Sequence, residues 1–193
     1  MALTRSPDAP AGIPQSPTKI ETGRLVLRTM EVADASTSYA GWMNDPEIVR
    51  YTESRFSSHS VADVREYISA VRGDPNSLLL AIETKPDSRH IGNIKIGPVD
   101  WRHRSGDIGL LIGEKDCWGQ GFASEAIEAL AGYARDTLRL EKVTAGVYAP
   151  NASCVRAFEK AGFQREGILR SQYEFEEGRV DVVLLGLVAE DRP

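Results

Sequence analysis

Hydrophobic and polar residues along this chain follow two periods, one near 3.6 residues and one of two residues. Apolar residues three and four positions apart follow Ser60 and recur from residue 123 onwards, which predicts two amphipathic helices. Short apolar runs bounded by polar turn residues predict strands at residues 78–83, 90–97 and 106–112. Because the segments between these strands are short, we expect an antiparallel meander.

The remaining patterns complete a mixed α/β arrangement. An alternating segment at residues 24–28 predicts an edge strand, and a helical pattern follows at residues 32–43. The later part of the chain predicts a strand, a helix and two final strands, at residues 142–148, 151–161, 163–175 and 179–188. The sum is an α/β domain with six to seven strands and about four helices.

The first 19 residues differ in composition from the rest. Four of the ten prolines lie among small and polar residues here, namely Pro7, Pro10, Pro14 and Pro17. This composition predicts a flexible arm over residues 1–19, followed by a single domain over residues 20–190.

Composition argues against several classes of function. The net charge of the 193 residues is −5 and no dense basic run occurs, so nucleic acid is a poor partner. The apolar runs are far shorter than the ~20 residues that span a bilayer, and no signal peptide is evident. Two cysteines and three histidines form no ligand pattern, so we expect no metal. These features favour a reduced, cytoplasmic setting without a membrane partner.

Residues 118–124, Trp-Gly-Gln-Gly-Phe-Ala-Ser, are the most informative segment. A strand leads into a turn with two glycines that opens directly into an amphipathic helix. The first amides of a helix have no partner inside it and, with the helix dipole, attract an anion such as phosphate. A strand–glycine–helix corner also occurs where a helix only needs a sharp turn at its start, so both interpretations stay open. The P-loop and Rossmann phosphate motifs are absent.

A second segment, residues 151–163, predicts a short helix with Asn151 as its N-cap and Gly162 at its end. Cys154 and Phe158 share one face of that helix, which alone indicates ordinary packing.

Together the two segments resemble the GNAT family of N-acetyltransferases. Residues 118–123 are similar to its pyrophosphate loop, Gln/Arg-x-x-Gly-x-Gly/Ala, and residues 151–163 to its second motif, Asn-x-x-Ser-x-x-x-Leu/Tyr-x-Lys-x-Gly-Phe. The likeness extends to residues 21–28 and 44–46 and is closest to the Rim-type group, which contains ribosomal-protein N-terminal acetyltransferases and relatives with other amine acceptors. The resemblance spans about residues 20–188.

This resemblance implies a GNAT-like, mostly antiparallel sheet that splays open between its fourth and fifth strands, here residues 106–112 and 142–148. Acetyl-CoA would bind with its pantetheine arm in that gap, and transfer would be direct, in a ternary complex. The cofactor-binding residues implied are Leu110, Leu111, Ile112, Trp118, Gly119, Gln120, Gly121, Phe122, Ala123, Ser124, Asn151 and Phe158.

The resemblance also implies catalytic roles. The amide of Leu111 would polarise the thioester carbonyl, and Asp107 would serve as general base, directly or through water. Asp107 equally fits a solvent-exposed acid at the end of a turn. Cys154 stands where the Rim-type group often has a serine acid, beside Asn151, but it also fits a small buried hydrophobe.

Two residues depart from the family pattern. Phe158 replaces a common tyrosine acid and cannot donate a proton. Trp118 replaces a Gln or Arg and offers no charged contact to the cofactor.

The acceptor would be a primary amine, on a protein N-terminus or a small molecule. Candidate substrate-binding residues are Tyr51, Arg55, Asn93 and Tyr173, each of which also fits core packing or surface solvation. A longer acyl-CoA and a non-catalytic CoA-binding domain are the alternatives. Dimerisation is common in the family, which leaves a homodimer as a further expectation.

Overall fold

An eight-stranded sheet runs through the part of the chain that the computed structural model describes, residues 12–14, 16–176 and 178–189. The strands are β1 (Lys19–Glu21), β2 (Leu25–Thr29), β3 (Leu78–Thr84), β4 (His90–Ile96), β5 (Ser105–Ile112), β6 (Lys142–Tyr148), β7 (Gln164–Phe175) and β8 (Gly178–Val188). Their order across the sheet is β1-β2-β3-β4-β5-β6-β8-β7. Neighbouring strands are antiparallel except β5 and β6. The mixed, mostly antiparallel sheet is confirmed, with more strands than predicted.

Four α-helices flank the described sheet, as predicted. They are α1 (Thr37–Asn44), α2 (Val61–Gly73), α3 (Phe122–Asp136) and α4 (Ala152–Lys160). At the start of α2, the predicted cap is present, because the Ser60 hydroxyl accepts from the Asp63 amide and the Asp63 carboxylate accepts from the Ser60 amide.

The helical pattern at residues 32–43 is interrupted in the structure. A 3-10 turn spans Val32–Asp34, and α1 begins only after Ser36, whose side chain accepts a hydrogen bond from the Tyr39 amide at 3.1 Å. The Asp34 carboxylate binds back to the Glu31 amide at 2.7 Å. These side-chain bonds compete with a continuous helix and split it in two.

The helices divide between the two faces of the sheet. On one face, α3 and α4 cover the larger core, which includes Leu27, Leu80, Ile94, Ile108, Ile127, Leu130 and Phe158. On the other face, α1 and α2 cover a smaller core, which includes Met30, Tyr39, Trp42, Val64, Ile68 and Ala81. Side chains alternate between these faces along each strand, so the two-residue period predicts which face each residue occupies.

The sheet edge beside β2 differs from the prediction. β2 is not an edge strand, because β1 pairs with it from Lys19 opposite Arg28 to Glu21 opposite Val26. Ile13 is buried, and its amide donates to the Pro75 carbonyl at 2.8 Å. Residues 1–11 and 15 of the predicted arm lie outside the described residues, and the domain bounds stay a prediction.

The sheet opens between β5 and β6. These strands pair only from Ser105 with Lys142 to Asp107 with Thr144, whereas β6 pairs with β8 along its whole length. Beyond Asp107 and Thr144 the two strands separate, which confirms the predicted splay. We call this opening the gap. Among the described residues, no helix is long and apolar enough to cross a membrane.

Candidate active site

The glycine-bearing turn takes the shape that the sequence predicted. Gly119 and Gly121 have φ angles of +74° and +84°, in the left-handed region that favours glycine. Gly121 is the N-cap of α3, and no side chain caps this helix start. The first amides of α3 are thus left for another acceptor, which is the arrangement an anion site needs.

Arg24, in the turn between β1 and β2, stabilises the glycine-bearing turn although it lies outside residues 118–124. Its Nη1 donates to the Gln120 carbonyl at 3.0 Å, and its guanidinium lies 4.5 Å from the Phe122 ring centroid. In a trans peptide, C=O and N–H point in opposite directions. With the Gln120 carbonyl held by Arg24, the Gly121 amide therefore points away from Arg24. Sequence reasoning missed this contact, since nothing local to Arg24 indicates it.

Glu125, in the first turn of α3, holds Arg24 in place. Its carboxylate accepts from the Thr22 hydroxyl at 2.6 Å, from the Arg24 amide at 2.8 Å and from Arg24 Nε at 2.7 Å. Burial disfavours the charged form of Glu125, but these hydrogen bonds outweigh it and lower the pKa of the carboxyl. The ionised Glu125 thus anchors the guanidinium beside the loop.

Trp118 joins the loop to the end of β5. Its indole N–H donates to the Ile112 carbonyl at 2.9 Å, and 39% of the residue is exposed. The turn is therefore adjacent to the strand along which the pantetheine arm was expected. The Trp118 side chain offers no charge, as predicted.

The backbone of β5 presents alternate amides to the gap. Gly97 N–H donates to the Asp107 carbonyl at 2.9 Å and Gly113 N–H donates to the Ile91 carbonyl at 2.9 Å, and the register between these points has no shift. In an antiparallel ladder this alternation turns the Leu111 amide towards β4 and the amides of Leu110 and Ile112 towards the gap. The role of the Leu111 amide stays a prediction, and it would require that amide to turn.

Asp107 lies at the floor of the gap, in the last residue pair between β5 and β6. Its Oδ1 accepts from the Thr144 hydroxyl at 2.9 Å. Asp107 is an exposed residue, as the alternative expected, but partial desolvation by the neighbouring strands still raises the pKa of its carboxyl, although the Thr144 hydrogen bond and the charge of Lys95 act in the opposite direction. Leu111 lies four residues further along, about 13 Å away at ~3.3 Å per residue. At that distance Asp107 reaches a thioester only through water.

The second motif forms the start of α4. Asn151 is the N-cap, and its Oδ1 accepts from the Cys154 amide at 3.2 Å and the Ser153 hydroxyl at 3.0 Å. Cys154 packs against the larger core, and burial raises the pKa of its thiol to about 12. Phe158 is 1% exposed and lies edge-on to Phe163, with centroids 5.0 Å apart. Packing is the role the structure gives Phe158, and its cofactor contact stays a prediction.

An aromatic cluster forms the far wall of the gap, and we define it as Tyr51, Tyr148, Tyr173 and Phe175. The Tyr148 ring stacks on Tyr173 with centroids 4.9 Å apart, and Tyr51 stacks on Phe175 at 5.4 Å. Tyr51 and Tyr148 lie 6.2 Å apart. The cluster thus joins the segment after α1 to β6 and the β7–β8 hairpin. It brings together two predicted substrate residues, Tyr51 and Tyr173.

Arg55, a third predicted substrate-binding residue, contacts the aromatic cluster. Its Nη1 donates to the Tyr148 hydroxyl at 2.9 Å, and its Nη2 donates to the Glu174 carbonyl at 2.9 Å. The guanidinium lies 5.0 Å from the Tyr148 ring centroid. The Tyr148 hydroxyl donates in turn to the Glu53 carboxylate. Tyr148 and Glu53 were missed from the sequence, because each contact joins distant parts of the chain.

Asn93, the fourth predicted substrate residue, lies apart from the aromatic cluster. On β4, opposite Leu111, it is 5% exposed. His90 Nε2 lies 2.9 Å from the Gly92 carbonyl and 2.8 Å from Asn93 Oδ1. A carbonyl only accepts, so this nitrogen carries the proton and Oδ1 is the acceptor. Asn93 Nδ2 then has no partner among the described residues, so it is a donor available to a ligand or water.

The acidic residues near Tyr173 are largely engaged. Glu176 forms an ion pair with Arg50 at 2.6 Å, and Glu174 lies 3.4 Å from Arg179. Glu177 lies outside the described residues. Glu174 and Glu176 thus give little support for recognition of a cationic acceptor.

A splayed mixed sheet with a glycine loop at the mouth of its gap defines the class of GNAT-like acyltransferases. Residues 24–164 match the family model described as acetyltransferase (GNAT) domain. The uncharacterized N-acetyltransferase p20 of Bacillus licheniformis is 32% identical over 170 residues, which cover 86% of this chain and 94% of that protein. The chain belongs to the GNAT acetyltransferase family and is an acyl-CoA-dependent N-acetyltransferase.

Two solved structures share the fold. Spermidine N-acetyltransferase from Vibrio cholerae, in complex with CoA and spermine, has a TM-score of 0.79 at 23% identity, covering 88% of this chain and 98% of that chain. RimJ from Mycobacterium smegmatis, in complex with CoA-disulfide, has a TM-score of 0.77 at 22% identity, covering 92% of this chain and 88% of that chain. At these identities the likeness establishes the fold alone.

Proposed function

We propose that this enzyme moves acetyl from acetyl-CoA to a primary amine by direct attack in a ternary complex. The observation that carries the proposal is the continuity of the gap. The glycine turn meets the end of β5 through the Trp118–Ile112 hydrogen bond, and the aromatic cluster forms the opposite wall. An anion at the turn, an extended arm along β5 and an amine beside Tyr148 fit one continuous path.

Backbone groups would hold the cofactor in this proposal. The pyrophosphate would rest on the amides of Gly121 to Ser124, with the Gly121 amide oriented by Arg24. The arm would pair with gap-facing groups of Leu110 and Ile112 as a further strand. Asn151, already the cap of α4, would lie beside the thioester sulfur with Cys154.

The leaving thiolate would take the proton that the attacking nitrogen loses, relayed by water, rather than a proton from Cys154. Burial raises the pKa of the Cys154 thiol to about 12, well above the ~8.5 of an ordinary thiol, so Cys154 holds its proton too tightly to act as an efficient acid. Packing of Cys154 against the larger core supports the same conclusion.

A Rim-type relationship is also part of the proposal, supported by the residues quoted above and by the RimJ structure of similar fold. Small polyamines and protein N-termini are both candidate acceptors. The spermidine N-acetyltransferase fold neighbour makes polyamines a reasonable first choice for an assay.

Thiol release from acetyl-CoA tests the proposal, measured over a panel of spermidine, an amino sugar and a short peptide with a free N-terminus. We expect turnover with at least one amine and formation of its acetamide by mass spectrometry. Tight acetyl-CoA binding without turnover on any amine would instead favour a binding domain. Replacing acetyl-CoA by butyryl-CoA tests the acyl length.

A further inference from the structure

We propose that the Glu53 carboxylate binds the ammonium of the acceptor and takes the proton it loses. The proposal rests on the function proposed above, because it needs a thioester in the gap near Leu111. It assigns a catalytic role to a residue whose local sequence gives no such indication.

Tyr148 lies at the same level along the gap as the expected thioester. Asp107 and Thr144 form the last pair between β5 and β6, and Leu111 and Tyr148 each lie four residues further along. An even spacing keeps all four side chains on one face of the sheet. Tyr148 and Leu111 therefore lie at the same level on the two strands that border the gap, whereas Asp107 lies about 13 Å below that level.

Tyr148 and Arg55 fix the position of Glu53. The Tyr148 hydroxyl donates to Glu53 Oε1, and Arg55 Nη1 lies 3.7 Å from the same oxygen. Arg55 is itself held by the Thr52 carbonyl at 2.6 Å and by the Tyr148 hydroxyl at 2.9 Å. No hydrogen bond among the described residues involves Glu53 Oε2, and the side chain is 67% exposed. One oxygen is thus anchored beside Tyr148, and the other is left for solvent or a ligand.

The Glu53 carboxylate is the group that suits a protonated amine, through charge attraction. The Tyr148 ring itself is already engaged, since it stacks on Tyr173 with centroids 4.9 Å apart and the Arg55 guanidinium lies 5.0 Å from its centroid. The inference therefore restricts the acceptors to primary amines that bind in the protonated, ammonium form.

The chemical step balances as follows. The N–H bond of the ammonium breaks and its proton moves to Glu53 Oε2, which frees the nitrogen lone pair. The nitrogen bonds to the thioester carbonyl carbon, the C–S bond breaks, and the nitrogen loses its second proton through water to the CoA thiolate, which leaves a neutral amide and the CoA thiol. Because Glu53 is exposed, its proton then passes to solvent.

Three variants test the proposal: Glu53→Gln, Tyr148→Phe and, as a control, Glu66→Gln on the exposed surface of α2. A general base contributes 10²–10⁴-fold, so we expect Glu53→Gln to lower kcat/KM for an alkylamine by roughly 100-fold. Tyr148→Phe should lower it by about 10-fold through lost positioning, and Glu66→Gln should have no effect. Acetyl-CoA affinity should be unchanged in all three.

Comparing charged with neutral acceptors separates a catalytic from a structural role of Glu53, because a purely structural role would affect both acceptors equally. An arylamine is neutral at assay pH, so Glu53→Gln should reduce its acetylation far less than that of an alkylamine. Glu53→Asp should partly restore alkylamine turnover.

Equal losses for both amines, or Glu53→Gln activity within twofold of wild type, would overturn the proposal. So would a 100-fold loss confined to Asp107→Asn. Failure of the wild-type enzyme to bind acetyl-CoA would instead contradict the function proposed above.

Discussion

The two walls of the gap are built on different principles. The β5 wall uses main-chain groups, which are the helix-start amides after Gly121 and the amides of Leu110 and Ile112. The opposite wall uses side chains, which are the aromatic cluster with Arg55 and Glu53. Backbone recognition suits a cofactor of constant shape. Side-chain recognition can be altered by substitution while the fold stays the same.

The contrast also predicts different effects for mutations in the two walls. A change in the β5 wall acts through backbone direction, so it should alter affinity for the cofactor. A change in the opposite wall should alter acceptor turnover at constant cofactor affinity.

The largest effect is expected from Gly121→Glu. A side chain at φ +84° is strained, and its Cβ would lie 3.5 Å from Arg24 Nη2. A glutamate there would draw Arg24 away from the Gln120 carbonyl and add negative charge beside the phosphate site, which commonly costs several kcal/mol. We expect acetyl-CoA affinity to fall by about 100-fold or more in calorimetric titration. Gly121→Asn is the matched control, because asparagine tolerates the left-handed region and adds no charge. Similar affinities for the two variants would argue against an anion site there.

An intermediate effect is expected from Arg24→Gln. Without the guanidinium, the Gln120 carbonyl loses its partner at 3.0 Å and the Gly121 amide loses its fixed direction. We expect acetyl-CoA to bind about 10-fold more weakly, equivalent to ~1.4 kcal/mol. Binding of an acetyl-pantetheine that lacks phosphate should be unchanged. If both ligands weaken equally, Arg24 supports the fold rather than the anion site.

The smallest effect concerns Asp107 and stability. Its pKa is raised in the folded state, so the folded protein binds this proton more tightly than the unfolded chain does. The contribution to stability is therefore complete at low pH and is lost as pH rises through the folded pKa. Asp107→Asn should raise the melting temperature slightly at pH 7, by about 1–2 °C, and by less at pH 4. A lower melting temperature at pH 7 would contradict the pKa shift.

Sequence patterns predicted what lies within a few consecutive residues. Strand β6 has the predicted bounds, and the turn at Gly119 and Gly121 was expected from one short segment. The split before α1 escaped the periodicity because two local side-chain bonds, at Ser36 and Asp34, decide it.

The contacts that shape the acceptor wall could not be predicted in the same way. Tyr148 reads as the last residue of a strand, and Glu53 as a polar residue in a connection. Their hydrogen bond depends on how the segment after α1 folds over β6. Arg24 likewise reaches Gln120 only because β1 and β2 pack beside α3. A single sequence carries no local signal for such pairings.

Trp118 gives the enzyme an intrinsic optical probe. Of the three tryptophans in the sequence, Trp42 is 6% exposed and Trp101 donates to Asn76 Oδ1 at 2.8 Å, away from the loop. Trp118 is 39% exposed, and its indole occupies the Ile112 carbonyl that a bound pantetheine arm would claim. Cofactor binding should displace that indole and shift its fluorescence. The intrinsic fluorescence of the unlabelled enzyme would therefore measure acetyl-CoA binding directly.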